Sequence, residues 1–273
     1  MAKIRLDALL VERSLVESRA QAQRLIMAGQ VRVNGQLALK PATSVADSAE
    51  VEIEKGPQFV SRGGEKLAAA LKAFQLNLAG CVCADVGAST GGFTDCLLQN
   101  GAMRVYAIDV GKGILHWKLR QDSRVVVMEE TNARYVDHLP ERIHFVSIDA
   151  SFISLKVLLP VVKAWFAQPQ EAVDPQSTRE GNIVTLIKPQ FEAGRAEAAR
   201  GDGVIRDPEV HRRVLQSVLD FAVLQGYNIE GLISSPLLGP KGNVEFLAWL
   251  SISRSSRRST SSEEIETFIS GVI

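Results

Sequence analysis

Short apolar runs alternate with longer amphipathic segments along most of this chain. From residue 80 onward the apolar runs have the length of strands, and the segments between them have helical spacing, as over 208–226. This alternation predicts an α/β domain with a mostly parallel sheet and right-handed crossovers. The predicted strands lie near 81–86, 105–109, 124–128, 143–148, 183–187, 227–233 and 244–251. The last two strands read as a hairpin-like pair, so the final strand is predicted to run antiparallel.

The first 55 residues have a different pattern and predict a separate small α+β domain. Leu6, Leu9, Leu10 and Ser14 would share one face of a short helix. Ser18 would cap a second helix and Gly29 would end it. A strand then leads into the turn Asn34-Gly35, which is typical of a hairpin, and an alternating strand follows over 50–54.

The sequence between and after these domains predicts where they end. Gly56-Pro57 breaks the chain, so we predict a linker over 56–60 and the larger domain over 61–252. The polar segments 169–181 and 192–207 are predicted loops. A Ser/Arg-rich tail with a short terminal helix is predicted over 253–273.

The composition is that of an ordinary globular protein, but the charge is unevenly distributed along the chain. The chain has 273 residues, 46% of them hydrophobic, and its 31 basic side chains balance 31 acidic ones. Residues 1–40, however, carry seven basic against three acidic side chains. A basic module on a neutral body indicates that the N-terminal domain binds a polyanion.

Three cysteines without framework spacing, Cys81, Cys83 and Cys96, argue against disulfides and zinc and for a reducing compartment. The sequence shows no membrane-length apolar run and no signal peptide, so we expect a cytoplasmic protein that does not bind membranes.

A loop of small residues follows the first strand of the larger domain and opens a helix. Three glycines within six positions let the backbone approach a ligand closely, and the helix start presents free N–H groups. The spacing is G-x-x-x-G-G and differs from the dinucleotide fingerprint, so a plain strand-to-helix turn is the alternative. The predicted cofactor residues here are Asp85, Gly87, Ala88, Ser89, Thr90, Gly91, Gly92 and Phe93.

Two further polar residues extend this predicted cofactor site. Asp109 ends the second strand, where a carboxylate can accept both hydroxyls of a ribose, although an acid there also serves as a helix cap. Asn132 follows the third strand and could contact an adenine edge. Both fit an NAD enzyme or an S-adenosylmethionine methyltransferase, and the hairpin-like end of the sheet favours S-adenosylmethionine.

Four charged residues are predicted to converge on the same crevice. Asp149 and Lys188 end two strands, Glu245 begins the antiparallel last strand, and Lys66 lies in the first helix of the larger domain. Ligands in open α/β sheets bind beyond the carboxyl ends of the strands. We expect Lys188 to lie between the carboxylates of Asp149 and Glu245, either as a purely structural network or as a catalytic group.

Such a group suits methylation of a ribose hydroxyl. Lys188 would orient the hydroxyl and stabilise developing alkoxide, or accept its proton if the lysine pKa is lowered. This chemistry requires no metal.

The N-terminal pattern, two short helices followed by "AGQVRVNG", resembles the alpha-L RNA-binding module of a small-subunit ribosomal protein and of many pseudouridine synthases. The resemblance implies that basic side chains of this module contact structured RNA. The residues at matching positions are Arg5, Arg19, Arg24 and Arg32. A solvated basic helix face is the alternative explanation for them.

Five motifs, "SRGGEKL", "DVGASTGGFTDCLL", "DASFISL", "LIKPQFE" and "GPKGNVEF", resemble the hemolysin-type TlyA family of ribosomal-RNA 2′-O-ribose methyltransferases, within the FtsJ-like group. The resemblance spans residues 3 to 251. It implies a Lys-Asp-Lys-Glu catalytic tetrad at Lys66, Asp149, Lys188 and Glu245, S-adenosylmethionine as cofactor, and ribosomal RNA or a ribosomal subunit as partner, with a cytidine ribose as target.

Arg62 lies beside the first lysine of this tetrad and is predicted to contact RNA phosphate or to couple the two domains. Three other functions stay open at this point. They are a ribosome-assembly RNA-binding protein with a vestigial cofactor site, a nicotinamide-dependent oxidoreductase, and a membrane-lytic hemolysin. The last ranks lowest, because no segment is apolar or amphipathic enough. The sequence leaves the oligomeric state undetermined.

Overall fold

A computed structural model describes residues 3–54, 56–166, 181–194, 197, 202–252 and 259–273. The chain divides into two compact units, Met1–Gln58 and Phe59–Ile273. The predicted linker over 56–60 is therefore shorter than expected. Phe59 is buried in the core of the larger unit, and the backbone N–H of Val60 donates to Asp95 at 2.9 Å. These contacts place Phe59 and Val60 in the larger unit.

The smaller unit packs two helices against short antiparallel strands. Its core is formed by Leu6, Leu9 and Leu10 from the first helix together with Ala22 and Ile26 from the second. The strands form a three-stranded sheet in the order β3-β2-β5 and a β1-β4 pair. The elements are β1 (Lys3–Arg5), α1 (Leu6–Glu12), α2 (Arg19–Met27), β2 (Val31–Val33), β3 (Gln36–Ala38), β4 (Ser44–Ala46) and β5 (Val51–Ile53).

The local signals predicted for this unit are largely confirmed. Ser18 caps α2 through its hydroxyl, which accepts from the backbone N–H of Gln21. Gly29, Asn34 and Gly35 all have positive φ, as a helix end and a tight hairpin require. Ser14 differs from the prediction: α1 ends at Glu12, and Ser14 turns the chain with φ 56°.

The larger unit contains a seven-stranded sheet in the order β11-β12-β10-β9-β6-β7-β8. β12 pairs antiparallel with both β10 and β11, while β10, β9, β6, β7 and β8 pair in parallel. The predicted mostly parallel sheet with an antiparallel last strand is thus confirmed. The strands are β6 (Val82–Val86), β7 (Arg104–Ile108), β8 (Val125–Met128), β9 (Phe145–Ile148), β10 (Gly181–Ile187), β11 (Asn228–Ser234) and β12 (Phe246–Ile252).

Helices cover both faces of this sheet, as buried apolar strands require. They are α3 (Gly63–Ala73), α4 (Gly92–Gln99), α5 (Trp117–Arg120), α6 (Leu155–Ala164), α7 (Pro189–Glu192), α8 (Pro208–Leu224) and α9 (Ser262–Ser270). Two 3₁₀ turns lie at Ala133–Tyr135 and Pro240–Gly242. Among the described helices, none has both the length and the apolar character needed to cross a bilayer.

The predicted terminal helix is present as α9. A capping box joins Ser261 and Glu264 at its start, and Ile265 and Ile269 are buried in the core of the larger unit. Thr260 accepts a hydrogen bond from the backbone N–H of Ile229 in the edge strand β11, at 2.8 Å. The Ser/Arg-rich part over 253–258 and nearly all of the predicted loop 169–181 lie outside the described residues.

Candidate active site

The larger unit contains a cleft of about 940 Å³ at the carboxyl ends of β6, β9 and β10. The parallel strands and their following turns bring the loop after β6, the turn after β9 and α7 to this edge. The antiparallel direction of β12 brings its beginning there as well. The first turn of α3 closes one side. This is the edge at which open α/β sheets bind ligands.

The glycine loop approaches the neighbouring backbone too closely for any side chain at two positions. A Cβ on Gly87, which has φ +83°, would lie 2.6 Å from the carbonyl oxygen of Asp149. A Cβ on Gly92 would lie 2.3 Å from the hydroxyl of Ser61 and 2.8 Å from the backbone nitrogen of Gly64. The glycines therefore bring the start of α4 against the start of α3 along the wall of the cleft.

Six of the ten predicted cofactor residues line this cleft: Gly87, Ala88, Ser89, Thr90, Gly92 and Phe93. Asp85, Gly91, Asp109 and Asn132 do not form its wall. Gly91 instead begins α4 with φ 96°, and a Cβ there would meet the side chain of Leu119 at 2.1 Å. Asn132 caps a 3₁₀ turn by accepting from the backbone N–H of Arg134.

Asp85 is fully buried under the glycine loop, so it departs from the direct cofactor contact predicted for it. Its carboxyl oxygens accept hydrogen bonds from Thr94 Oγ1 at 2.6 Å and from Ser147 Oγ at 2.9 Å. Burial raises its pKa to about 7. Asp85 thus ties the start of the loop to α4 and β9.

Asp109 contacts the glycine loop from the adjacent strand. Its Oδ2 accepts from the backbone N–H of Ser89 at 2.8 Å, and its Oδ1 accepts from that of Gly111 at 2.7 Å. Ser89 has φ 50°, a backbone conformation that this hydrogen bond helps to hold. Each carboxylate oxygen can accept more than one hydrogen bond, so Asp109 retains acceptor capacity for a ligand.

The four charged residues predicted to converge do so, as two separate ion pairs. Lys66 Nζ lies 2.6 Å from Glu245 Oε2, and Lys188 Nζ lies 2.6 Å from Asp149 Oδ1. The expectation that Lys188 is shared by both carboxylates is therefore wrong. The pairing follows from chain direction: Asp149 and Lys188 end neighbouring parallel strands, while Glu245 precedes β12 and meets α3.

Three of the four charged side chains in these ion pairs are almost completely buried. Lys66 and Lys188 are each 8% exposed and Glu245 is 1% exposed. A buried ammonium is costly unless a carboxylate and hydrogen bonds compensate it. Lys188 has two further acceptors, since its Nζ donates to Ser151 Oγ at 3.0 Å and, over a long 3.5 Å, to the backbone carbonyl of Asp149. The N–H in this long contact is the one that could turn to a ligand in the cleft.

Sequence reasoning missed several residues of the cleft. Phe152 is 90% exposed with φ 64°, and its ring lies 4.9 Å from that of Phe191. Ser151 and Gln190 contact the ion pairs directly. All four lie inside the motifs "DASFISL" and "LIKPQFE". Their closeness in sequence to Asp149 and Lys188 was the signal that could have identified them as residues of the cleft.

In the smaller unit, a buried carboxylate gathers two of the four predicted RNA-binding arginines. Asp7 accepts from Arg5 at 2.9 and 3.0 Å, from Arg19 at 3.1 Å and from Gln23 at 2.9 Å. The hydrogen bonds from Arg5 hold the pKa of Asp7 well below its usual range. Arg5 and Arg19 remain about half exposed, so Asp7 presents both guanidinium groups on one surface.

The other predicted RNA-binding arginines differ in their surroundings. Arg24 is exposed on α2. Arg32 is partly buried, pairs with Glu54 and donates to the carbonyl of Gly35 at 3.1 Å. Arg62 precedes α3, is exposed and lines the cleft of the larger unit.

Comparison with known proteins adds independent information. Residues 4–51 match the S4 domain model, and residues 59–252 match the FtsJ-like methyltransferase model. The second match covers well over half of the chain, including both ion pairs and the glycine loop.

Relatives match over nearly the whole chain. "Putative rRNA methyltransferase YqxC" of Bacillus subtilis is 46% identical over 91% of this chain and 85% of its own length. "16S/23S rRNA (cytidine-2'-O)-methyltransferase TlyA" of Mycobacterium tuberculosis is 44% identical over 91% of this chain and 90% of its own length. A solved structure, "Putative hemolysin from Streptococcus thermophilus", is 42% identical with a TM-score of 0.69, covering 99% of this chain and 96% of that one. By these matches and by its fold, the chain belongs to the FtsJ-like methyltransferase family.

Proposed function

We propose that this protein transfers a methyl group from S-adenosylmethionine to the 2′-hydroxyl of a cytidine in ribosomal RNA. The observation that carries the proposal is the pair of buried Lys–carboxylate contacts, Lys66–Glu245 and Lys188–Asp149, beside a glycine loop in one cleft. A neutral chain with a basic N-terminal unit suits a polyanionic substrate.

The cleft fits the proposed cofactor. Its volume lies within the range of small-molecule sites, roughly 300–1,000 Å³. Gly87 and Gly92 let the loop after β6 pack directly against Asp149 and the start of α3, which shapes the wall of the cleft. The N–H groups at the start of α4 suit the carboxylate of an amino-acid moiety. Asp109 would accept the ribose hydroxyls of the cofactor. When bound, S-adenosylmethionine supplies a methyl group activated by a sulfonium.

Lys188 is the residue that we assign to the ribose hydroxyl. The Asp149 carboxylate and the Ser151 hydroxyl accept from two of its N–H groups, and the third makes only a long contact of 3.5 Å with the Asp149 carbonyl. That third N–H would donate instead to the 2′-oxygen, fix its position and stabilise the negative charge that develops as its proton leaves to solvent or to Asp149. Alignment of this oxygen is the main contribution to the rate.

Lys66 and Glu245 form the opposite side of the reaction site. Their ion pair fixes the start of α3 against the start of β12. We propose that Lys66 donates to the ribose of the target nucleotide, while Glu245 holds Lys66 in place. The exposed ring of Phe152, supported by Phe191, suits stacking with a nucleobase.

The choice of ribosomal RNA rests on the relatives and on the smaller unit. The relative from Mycobacterium tuberculosis is named for cytidine 2′-O-methylation of ribosomal RNA, and residues 4–51 match the S4 domain. Arg5, Arg19, Arg24 and Arg32 would contact RNA from this unit, and Arg62 from the rim of the cleft. Ribosomal RNA or a ribosomal subunit is the proposed partner, and the cytoplasm is the proposed location.

The experiment is to incubate the protein with S-adenosylmethionine labelled in its methyl group and with ribosomal subunits from cells that lack the gene. Digestion of the RNA to nucleosides should place the label in 2′-O-methylcytidine. Label on a base, or no transfer, would overturn the proposal. RNA binding without transfer would favour a ribosome-assembly protein with a vestigial cofactor site.

The nicotinamide-dependent oxidoreductase is not retained as an alternative. The dinucleotide fold has a mostly parallel, six-stranded sheet, whereas the sheet here has seven strands with an antiparallel β12 between β10 and β11. The family match is also to methyltransferases.

A further inference from the structure

Gln190 is close in sequence to one ion pair and hydrogen-bonded to the other. It lies in the single turn of α7, two residues after Lys188, and lines the cleft. Its side chain donates through Nε2 to Glu245 Oε1 at 3.2 Å. Gln190 therefore connects the helical turn that follows Lys188 to the carboxylate of the other pair.

The contact completes the hydrogen bonding of Glu245. Lys66 donates to Oε2 and Gln190 to Oε1, so each carboxylate oxygen has its own donor. Gly239 packs against the same carboxylate, because a Cβ on Gly239 would lie 2.1 Å from Oε1. These two hydrogen bonds and the packing of Gly239 restrict the orientation of the Glu245 carboxylate. Because Lys66 is paired with that carboxylate, the position of its ammonium group is restricted as well.

Stability alone does not account for a glutamine here. Its other amide atom, Oε1, is buried and meets no hydrogen-bond donor within the described part of the chain. A buried acceptor without a partner is unfavourable to the fold. An apolar side chain of the same length would avoid this cost, so the amide at position 190 is explained by what it does for Glu245.

We infer that Gln190 is a positioning residue for methyl transfer, resting on the proposed function. By holding Glu245 it fixes Lys66 relative to Lys188, and so fixes the two ammonium groups at the spacing that the target ribose requires. Gln190 acts on the reaction through Glu245 and Lys66.

The test replaces Gln190 by methionine, which keeps the length and removes the amide. We expect kcat for ribosomal RNA to fall about tenfold, as loss of a hydrogen bond to a charged group does. KM and the Kd of S-adenosylmethionine should stay within about twofold, and the Tm should not fall.

Gln216 offers a matched control. In α8 its Nε2 donates to the carboxylate of Asp220 at 2.8 Å, and it is not among the residues lining the cleft. Gln216→Met removes the same kind of hydrogen bond and should leave kcat and its pH profile unchanged.

Gln190→Glu provides a second test, through the pH dependence of kcat. When the introduced carboxyl group is ionised it repels Glu245, whereas in its protonated form it carries an O–H that can donate to Glu245 in place of the amide. We expect low kcat at pH 8 and partial recovery toward pH 6, a recovery that Gln190→Met, which has no titratable group at this position, should not show.

The inference is overturned if Gln190→Met retains wild-type kcat. It is also overturned if the loss of activity in Gln190→Met accompanies a lowered Tm and Gln190→Glu regains no activity at low pH. An inactive wild-type protein would instead overturn the proposed function. The two failures are therefore distinguishable in one set of assays.

Discussion

At the scale of single residues, this protein uses buried carboxyl groups in two opposite ways. Asp85 lies deep in the larger unit, and burial raises its pKa to about 7 although the Thr94 and Ser147 hydroxyls donate to it. Asp7 is also inaccessible to solvent, but it lies just beneath the half-exposed Arg5 and Arg19. Hydrogen bonds from these arginines and from Gln23 hold its pKa well below the usual range. Depth of burial and charged donors together decide which ionisation state the fold selects.

Asp85 makes stability depend on pH. Between pH 4 and pH 7 the unfolded chain has lost this proton while the native protein retains it, so stability should fall as pH rises. The slope is up to about 1.4 kcal/mol per pH unit. Asp85→Asn removes this slope. Urea unfolding at pH 5 and at pH 7.5 should show a smaller loss of stability for the variant, and identical pH dependence of both proteins would contradict the assignment.

At the scale of elements, a carboxylate on one helix fixes the position of another helix by accepting hydrogen bonds from it. Glu192 of α7 accepts from the Ser154 hydroxyl at 2.6 Å and from the backbone N–H of Leu155 at 2.7 Å, which caps the start of α6. This bridge holds the turn after Lys188 against the turn after Asp149. Asp7 does the same in the smaller unit, because it lies on α1 and binds side chains of α2.

Asp7→Asn tests this element-scale role through RNA binding. Removing an acid would by itself strengthen binding to a polyanion. We expect instead about tenfold weaker binding of ribosomal RNA, because two arginines lose their common anchor and ordering each costs about 0.5–1.5 kcal/mol. Asp47→Asn, at an exposed acid of the same unit, serves as the charge-matched control. Equal strengthening of binding by both variants would refute this role of Asp7.

Most elements were predictable from the sequence, whereas the partners within the site were not. Apolar runs located the strands, and the small residues after β6 marked the loop, because both signals are local. Lys66 and Glu245 are 179 residues apart, and nothing local shows that Glu245 meets Lys66 instead of Lys188. Asp7 reads as an ordinary acid in the first turn of a helix, and Phe59 as part of a linker, until tertiary packing buries them.

At the scale of the whole molecule, the two units have different roles. The smaller unit carries the basic surface around Asp7, and the larger unit carries the cleft with both ion pairs. Arg62 is a cation of the larger unit on the rim of that cleft. We expect it to add one phosphate contact.

The salt dependence of RNA binding measures that contact. Arg62→Ala should reduce the slope of log Kobs against log salt by about 1, because one fewer counterion is released. Lys72→Ala, at an exposed cation in the last turn of α3, should leave the slope unchanged. An unchanged slope together with an unchanged transfer rate for Arg62→Ala would remove Arg62 from the RNA contacts.

The decisive experiment for the role of Lys188 is methyl transfer by Lys188→Ala, measured beside its binding of S-adenosylmethionine by calorimetry. We predict that transfer to ribosomal RNA falls at least about 100-fold. We also predict that the cofactor binds within about twofold of wild type, and that Lys156→Ala, a lysine bonded to Ser217 in the same unit, transfers normally. Wild-type transfer by Lys188→Ala would contradict the proposed mechanism.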